Sequence, residues 1–148
     1  MGITSAVCNS FKQEILEAEH NFATSGGNTF NLALYDSDAV LSKSTTAYTT
    51  SEELATTGGY TAKGNALTSV TPVLDSDTAV CDFANESWTS ASFTARGLLL
   101  YNTTAITGFT TNRSILAINF GGDKTVTSGT FTIEFPAAAA STAIIQLA

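Results

Sequence analysis

The alternation of hydrophobic and polar positions is clearest in residues 92–135. There SFTARGLLLYN is followed by a polar loop and then by RSILAINFGGDKTVTSGTFTIEF. Leu98, Leu99, Leu100 and Tyr101 form an unbroken apolar block, which predicts a strand covered on both faces. Residues 114–120 alternate, with Leu116, Ile118 and Phe120 on one side, and residues 130–135 repeat the pattern with Phe131, Ile133 and Phe135. Gly121-Gly122-Asp123 between them carries turn chemistry, because glycine takes positive φ without steric cost. The three runs predict a meander at the centre of a β-sandwich, with Leu99, Leu116, Ile118, Phe131 and Ile133 buried.

The period changes at the N-terminus. Cys8, Phe11, Ile15, Ala18 and Phe22 recur at spacings of three and four, which predicts one helix over residues 4–22 with a single apolar stripe. Lys12, Gln13, Glu14, Glu17 and Glu19 occupy its other sides. Thr4 or Ser5 is placed to cap its start, and Gly26-Gly27 lies beyond its end. A helix of this length is marginal alone in water. The stripe must therefore dock, either on its own sandwich or on a neighbouring subunit, which makes Cys8, Phe11, Ile15 and Phe22 candidate interface residues.

The remaining segments read as strands and turns. Residues 29–36 predict a first strand with Phe30, Leu32 and Leu34 on one face. Residues 42–49 read as a loop. Thr50 and Glu53 match a capping box, followed by only one turn of helix at Leu54-Ala55. Residues 60–74 are extended, with Leu67 and Val70 as inner-face positions and Pro72 marking an edge or bulge. Asp75-Ser76-Asp77 predicts a hairpin turn into residues 78–83, Trp88 a half-buried position, and residues 143–147 a last strand. Seven to nine strands with turn signals between them predict an all-β fold, a β-sandwich or jelly roll with one N-terminal α-helix. A single domain spans residues 1–148, the sandwich occupying 29–148.

Composition strengthens this picture. The chain has 148 residues, of which 43% are hydrophobic and only 13% charged, so its polarity rests on Thr and Ser, which suit exposed strand faces. The net charge of −7 and the absence of a basic patch argue against nucleic-acid binding. No apolar run approaches a membrane span, and the first residues lack the layout of a signal peptide. Cys8 and Cys81 are far apart in sequence and predict reduced, buried thiols rather than a disulfide framework.

Catalytic equipment is sparse. His20 is the only histidine, and at the end of the predicted helix it reads as a cation facing the helix carbonyls. No GxSxG or HExxH pattern occurs, and one His with two separated Cys argues against a closed zinc site. Asp36-x-Asp38 and Asp75-x-Asp77 could offer calcium ligands, but Asp-Ser-Asp is also ordinary turn chemistry. Nothing distinguishes an acid from a base among the carboxylates, as glycoside hydrolysis would require. Asn85-Glu86-Ser87, Asn102-Thr103-Thr104 and Asn112-Arg113-Ser114 fit the glycosylation sequon, a frequent coincidence in so Ser/Thr-rich a chain. Tyr35, Tyr48, Tyr60, Trp88 and Tyr101 could line a sugar-binding face or belong to the core. The expectation is a non-enzymatic protein with no cofactor, no metal and no catalytic residues.

Phe11-Lys12-Gln13-Glu14-Ile15-Leu16 leads to Glu19-His20-Asn21-Phe22, and Thr29-Phe30-Asn31-Leu32-Ala33-Leu34-Tyr35 follows. Ala47-Tyr48-Thr49-Thr50, Gly59-Tyr60-Thr61-Ala62 and Asp82-Phe83-Ala84 with Trp88 come next. Thr94-Ala95-Arg96-Gly97 before Tyr101-Asn102, Phe120-Gly121-Gly122-Asp123-Lys124 and Phe131-Thr132-Ile133-Glu134-Phe135-Pro136 complete the set. Together these stretches, spanning nearly the whole chain, resemble a family of small virion structural proteins of tailed bacteriophages. The resemblance implies a non-enzymatic virion component present in many copies, made in the bacterial host cytoplasm. It implies partners among the virion proteins, above all the major capsid protein, and a homo-oligomer. It transfers no site residues. A short single-domain chain without fibrous repeats favours a capsid decoration (cement) protein. The alternative is a tail- or fibre-associated β-sandwich that binds a receptor glycan, and a small glycan hydrolase ranks third.

Overall fold

A computed structural model describes residues 2–148. Its elements are β1 (Ala6–Val7), α1 (Asn9–Leu16), β2 (Phe30–Tyr35), β3 (Asn65–Ala66) and β4 (Ser69–Asp75). They continue with β5 (Thr78–Phe83), β6 (Glu86–Asn102), β7 (Arg113–Ile133) and β8 (Ile145–Leu147). The strands form two antiparallel sheets, one of order β1-β7-β6-β2-β3 and one of order β4-β5-β8. The fold is all-β and sandwich-like, with one short helix.

The apolar block of β6 explains the layering. Leu98 and Leu100 face one hydrophobic cluster, shared with Phe30, Leu32, Leu34, Phe83 and Phe11, which lies between the large sheet, α1 and the small sheet. Leu99 and Tyr101 face a second cluster with Ala33, Tyr35, Ala39 and Leu41, covered by Ile3 and the 36–48 segment. Register aligns these rows, with Leu34 opposite Leu98 opposite Ile118, and Leu32 opposite Leu100 opposite Leu116. Each fully buried Leu contributes roughly 1.5–3 kcal/mol of transfer free energy. The strand is therefore apolar at consecutive positions because both its faces are dry.

The expected three-strand meander is instead one long hairpin. Gly121-Gly122-Asp123 does not turn the chain; β7 runs through it from Arg113 to Ile133. Pairing passes from Gly97–Asn119 to Ala95–Lys124, so residues 120–123 of β7 bulge out opposite the single residue Arg96 of β6. The glycines supply the backbone freedom of that bulge, with Gly121 at φ +77°. Asn119 Oδ1 accepts from the Gly121 N–H at 2.8 Å, and Arg96 holds Asp123 at 2.8 Å. Beyond the bulge the ribbon is covered on one side only. Phe131 and Ile133 are accordingly half-buried at the margin of the core, as is Ile118 just before the bulge, whereas Leu99 and Leu116 are buried as expected.

The helix is shorter than residues 4–22. Ala6 and Val7 pair with Ala117 and Leu116 as a strand, and Ser5 Oγ accepts from the Asn119 N–H rather than capping a helix. Cys8 takes the N-cap position without a side-chain cap bond. The helix ends at Leu16, and Ala18 adopts φ 60°. The apolar spacing continues to Phe22 because the chain after the helix packs on the same cluster, where Phe22 stacks on Phe30 at 4.5 Å between ring centroids.

Other details follow turn chemistry. The β4–β5 hairpin turns at Ser76, φ 56°, with Asp75 opposite Thr78. Pro72 sits at an irregularity of the edge strand β4, between Val70 and Val73. Leu67 is buried, but Val70 points to solvent instead of inward, and Trp88, at 3% exposure, is buried rather than half-buried. Thr50 and Glu53 start no helix; Glu53 forms an isolated bridge with Tyr35.

Candidate functional site

Helix α1 carries two different faces, and each borders an open site. Phe11, Lys12, Ile15 and Leu16 lie on one side, Ser10, Gln13, Glu14 and Glu17 on the other, as 3.6-residue periodicity requires.

The first face borders an apolar groove of about 360 Å³ between α1 and β8, lined by Val7, Phe11, Ile15, Leu16, Ile144 and Leu147. Leu16 is 88% exposed, and Val7 and Leu147 are also open to solvent. Across the small sheet, Leu74 lies opposite Ala79 and Ala79 opposite Leu147, and Leu74 is 72% exposed. The apolar surface thus continues from the helix over the end of the small sheet.

The four candidate interface residues divide on this geometry. Cys8, Phe11 and Phe22 are buried in the chain's own core, which leaves little of their side chains exposed. Ile15 is only partly buried and packs at the edge of that core. The open positions are the neighbouring Leu16 and Val7, which a strict heptad-like stripe does not select. Burial raises the thiol pKa of Cys8, and raises that of Cys81 to about 12; both cysteines are free and buried.

The second face borders a polar cleft of about 150 Å³, closed on its other side by Phe109, Thr110 and Arg113. Its floor is an ion pair between Arg113 and Glu19, both almost wholly buried, with Arg113 Nε 3.1 Å from Glu19 Oε2. The two atoms lack the alignment of a hydrogen bond, and with Ser10 Oγ they remain buried without a hydrogen-bond partner. The other Arg113 nitrogens donate to the Thr110 carbonyl at 2.8 Å and the Glu19 carbonyl at 3.1 Å. Burial raises the Glu19 and Glu14 carboxyls above the usual range; Glu17 pushes both further up, and Arg113 opposes this.

His20 joins this network rather than facing the helix carbonyls as a cation. Burial, aided by Arg113, lowers its pKa to about 4, so the ring is neutral at pH 7. Asn102 Nδ2 donates to His20 Nδ1 at 3.1 Å, which leaves the proton on Nε2 to donate to Glu14 at 2.7 Å. In the sequence Arg113 draws attention only within a chance sequon, and Asn102 only there and beside Tyr101. Their signal was a charged residue and an amide inside strands that are otherwise apolar. Asn102 is fully buried, which closes that sequon in the folded chain.

The remaining candidates have structural employment. Tyr35, Tyr60, Trp88 and Tyr101 are buried, and Tyr48 stacks on Tyr101. Glu53 accepts from the Tyr48 and Tyr60 hydroxyls and from the Lys63 N–H. Asp75 accepts from the Ala140 N–H at 2.7 Å. Asp36 accepts from the Asp38 N–H at 2.9 Å, the turn chemistry expected of it. Among the described residues, Asp36, Asp38 and Glu52 alone bring three carboxylate oxygens within 4.8 Å of one another, at an open turn. Compared with protein-family models, with curated proteins and with solved structures, the chain matches none.

Proposed function

We propose that this chain is a non-enzymatic structural component of a tailed-phage virion, a decoration protein that binds the major capsid shell and neighbouring copies of itself. The observation that carries the reading is the continuous apolar surface from Val7 and Leu16 across Ile144 and Leu147 to Leu74. Contiguous exposed apolar surface marks an interaction site in a soluble protein. A surface with few long charged side chains also loses little side-chain entropy when it is covered. Three of the acid–base groups that burial perturbs, His20, Glu14 and Glu19, are engaged within the chain, His20 with Glu14 and Glu19 with Arg113. The glycan-binding alternative loses its aromatic platform, because Tyr35, Tyr60, Trp88 and Tyr101 are buried.

Quantitative mass spectrometry of purified virions tests the reading. A decoration protein is expected at hundreds of copies per particle; a handful of copies, or none, overturns it.

A further inference from the structure

The hairpin of β6 and β7 leaves the large sheet with an open edge. β1 covers β7 only at Leu116 and Ala117, and Ser5 Oγ accepts from the Asn119 N–H. From Phe120 to Ile133 no strand among the described residues lies along the outer side of β7. Alternate backbone N–H and C=O groups of this stretch therefore face outward with no strand to pair them, a template on which another strand adds. The same margin is apolar, with Phe120, Val126, Phe131 and Ile133 half-buried. Phe120, Lys124, Phe131, Thr132 and Ile133 line a groove of about 350 Å³ there, with the Phe120 and Phe131 rings 6.3 Å apart. No residue of β6 lines it, so the groove opens at the edge of β7 rather than over the middle of the ribbon.

The one charge in this groove decides what fits. Lys124 lies opposite the fully buried Ala95, so it leaves β7 on the core-facing side. It is exposed and has no ion-pair partner among the described residues. A wholly apolar strand would set carbon against that ammonium, whereas a carboxylate meets it. A second copy of the chain is a poor occupant. With Val126 of one copy opposite Phe131 of the other, antiparallel β7 edges set Lys124 opposite Ile133 and Asp123 opposite Glu134. Like charges directly opposite destabilise a strand pair.

We infer that the outer edge of β7 receives an extended strand of a partner protein, paired through its main chain, with apolar side chains in the groove and a carboxylate on Lys124. In strand addition of this kind, main-chain bonds give affinity and the side chains of one face give specificity. The groove shares no residue with the apolar surface of α1 and β8. The inference holds whether or not the chain resides in a virion.

A nuclear magnetic resonance titration of the full chain tests it, with an acetylated seven-residue peptide in which threonine alternates with valine, glutamate and valine. Saturable shifts are expected at residue 120 and residues 124–133. Replacing the peptide's glutamate by glutamine is expected to weaken binding about three-fold, as for an exposed ion pair. Lys124→Gln, at an exposed position, is expected to erase that difference. Methylating the peptide's backbone nitrogens along one strand edge is expected to abolish binding, and along the other edge to spare it. No saturable shift, equal effects of the two methylations, or equal binding of the glutamate and glutamine peptides to the unaltered chain overturns the proposal. So does a shift of residues 124–133 on dilution of the free chain, which assigns the edge to a second copy.

Discussion

The imidazole of His20 and the carboxylate of Glu14 meet at 2.7 Å across the end of α1, with the histidine side chain wholly buried. A histidine beside a carboxylate normally gains a proton more easily. Here burial and the nearby Arg113 guanidinium win, and the ring stays neutral. The contact is a neutral N–H donating to a carboxylate, which fixes the tautomer and closes the core between helix and sheet.

The sign of the pH dependence follows. A histidine whose folded pKa lies below its unfolded value of about 6.5 takes up a proton first in the unfolded chain. Its contribution is therefore a cost that appears as pH falls below about 6.5 and is complete below about 4. It reaches up to about 3 kcal/mol at 1.36 kcal/mol per pKa unit. The raised Glu14 and Glu19 carboxyls act in the opposite sense, gaining protons in the folded state as pH falls. The site is best read directly, since the single imidazole signal should titrate with a midpoint near 4. A midpoint at or above 6.5 sinks the assignment.

Phe11 and Leu16 separate packing from docking on one helix. Phe11 is 3% exposed and lies 6.1 Å from Phe22 and 5.0 Å from His20, centroid to centroid. Phe11→Ala is expected to cost about 3–5 kcal/mol and lower the melting temperature. Leu16→Ser, at an 88% exposed position, is expected to change stability by no more than about 0.5 kcal/mol and to reduce self-association or particle binding. Equal melting temperatures for the two variants contradict the packing. Unimpaired association of Leu16→Ser removes the apolar face from the interface.

Two glycines with positive φ should respond differently to alanine. At Gly64, φ +67°, a Cβ collides with the backbone carbonyl of Leu32 in β2; at Gly121, φ +77°, it meets open space. Gly121→Ala carries only the conformational strain, roughly 1–2 kcal/mol. Gly64→Ala adds displacement of the buried strand β2 and is expected to be the more damaging by at least about 1 kcal/mol. Denaturant unfolding of both variants checks the order, and a reversed ranking refutes the close approach at Leu32.

Local pattern by itself determined the fold class and several elements. Alternation and the short block at Leu98–Tyr101 predict strands, since a brief run apolar at successive positions beside alternating segments fits a strand buried on both faces. The Asp75-Ser76-Asp77 turn and the irregularity at Pro72 also follow from local backbone chemistry. What local pattern could not decide depended on partners distant in the chain. Gly121-Gly122 has the same φ freedom in a turn as in a bulge, and only the length of β6 opposite makes it a bulge. Cys8, Phe11 and Phe22 keep helical spacing, yet their strand and loop neighbours are set by β7 and β2, which leave Leu16 rather than Phe11 facing out. Arg113, Glu19 and Asn102 look unremarkable one by one. The tertiary structure brings them from positions 19, 102 and 113 to one floor, because a buried charge persists only where groups from several elements converge on it.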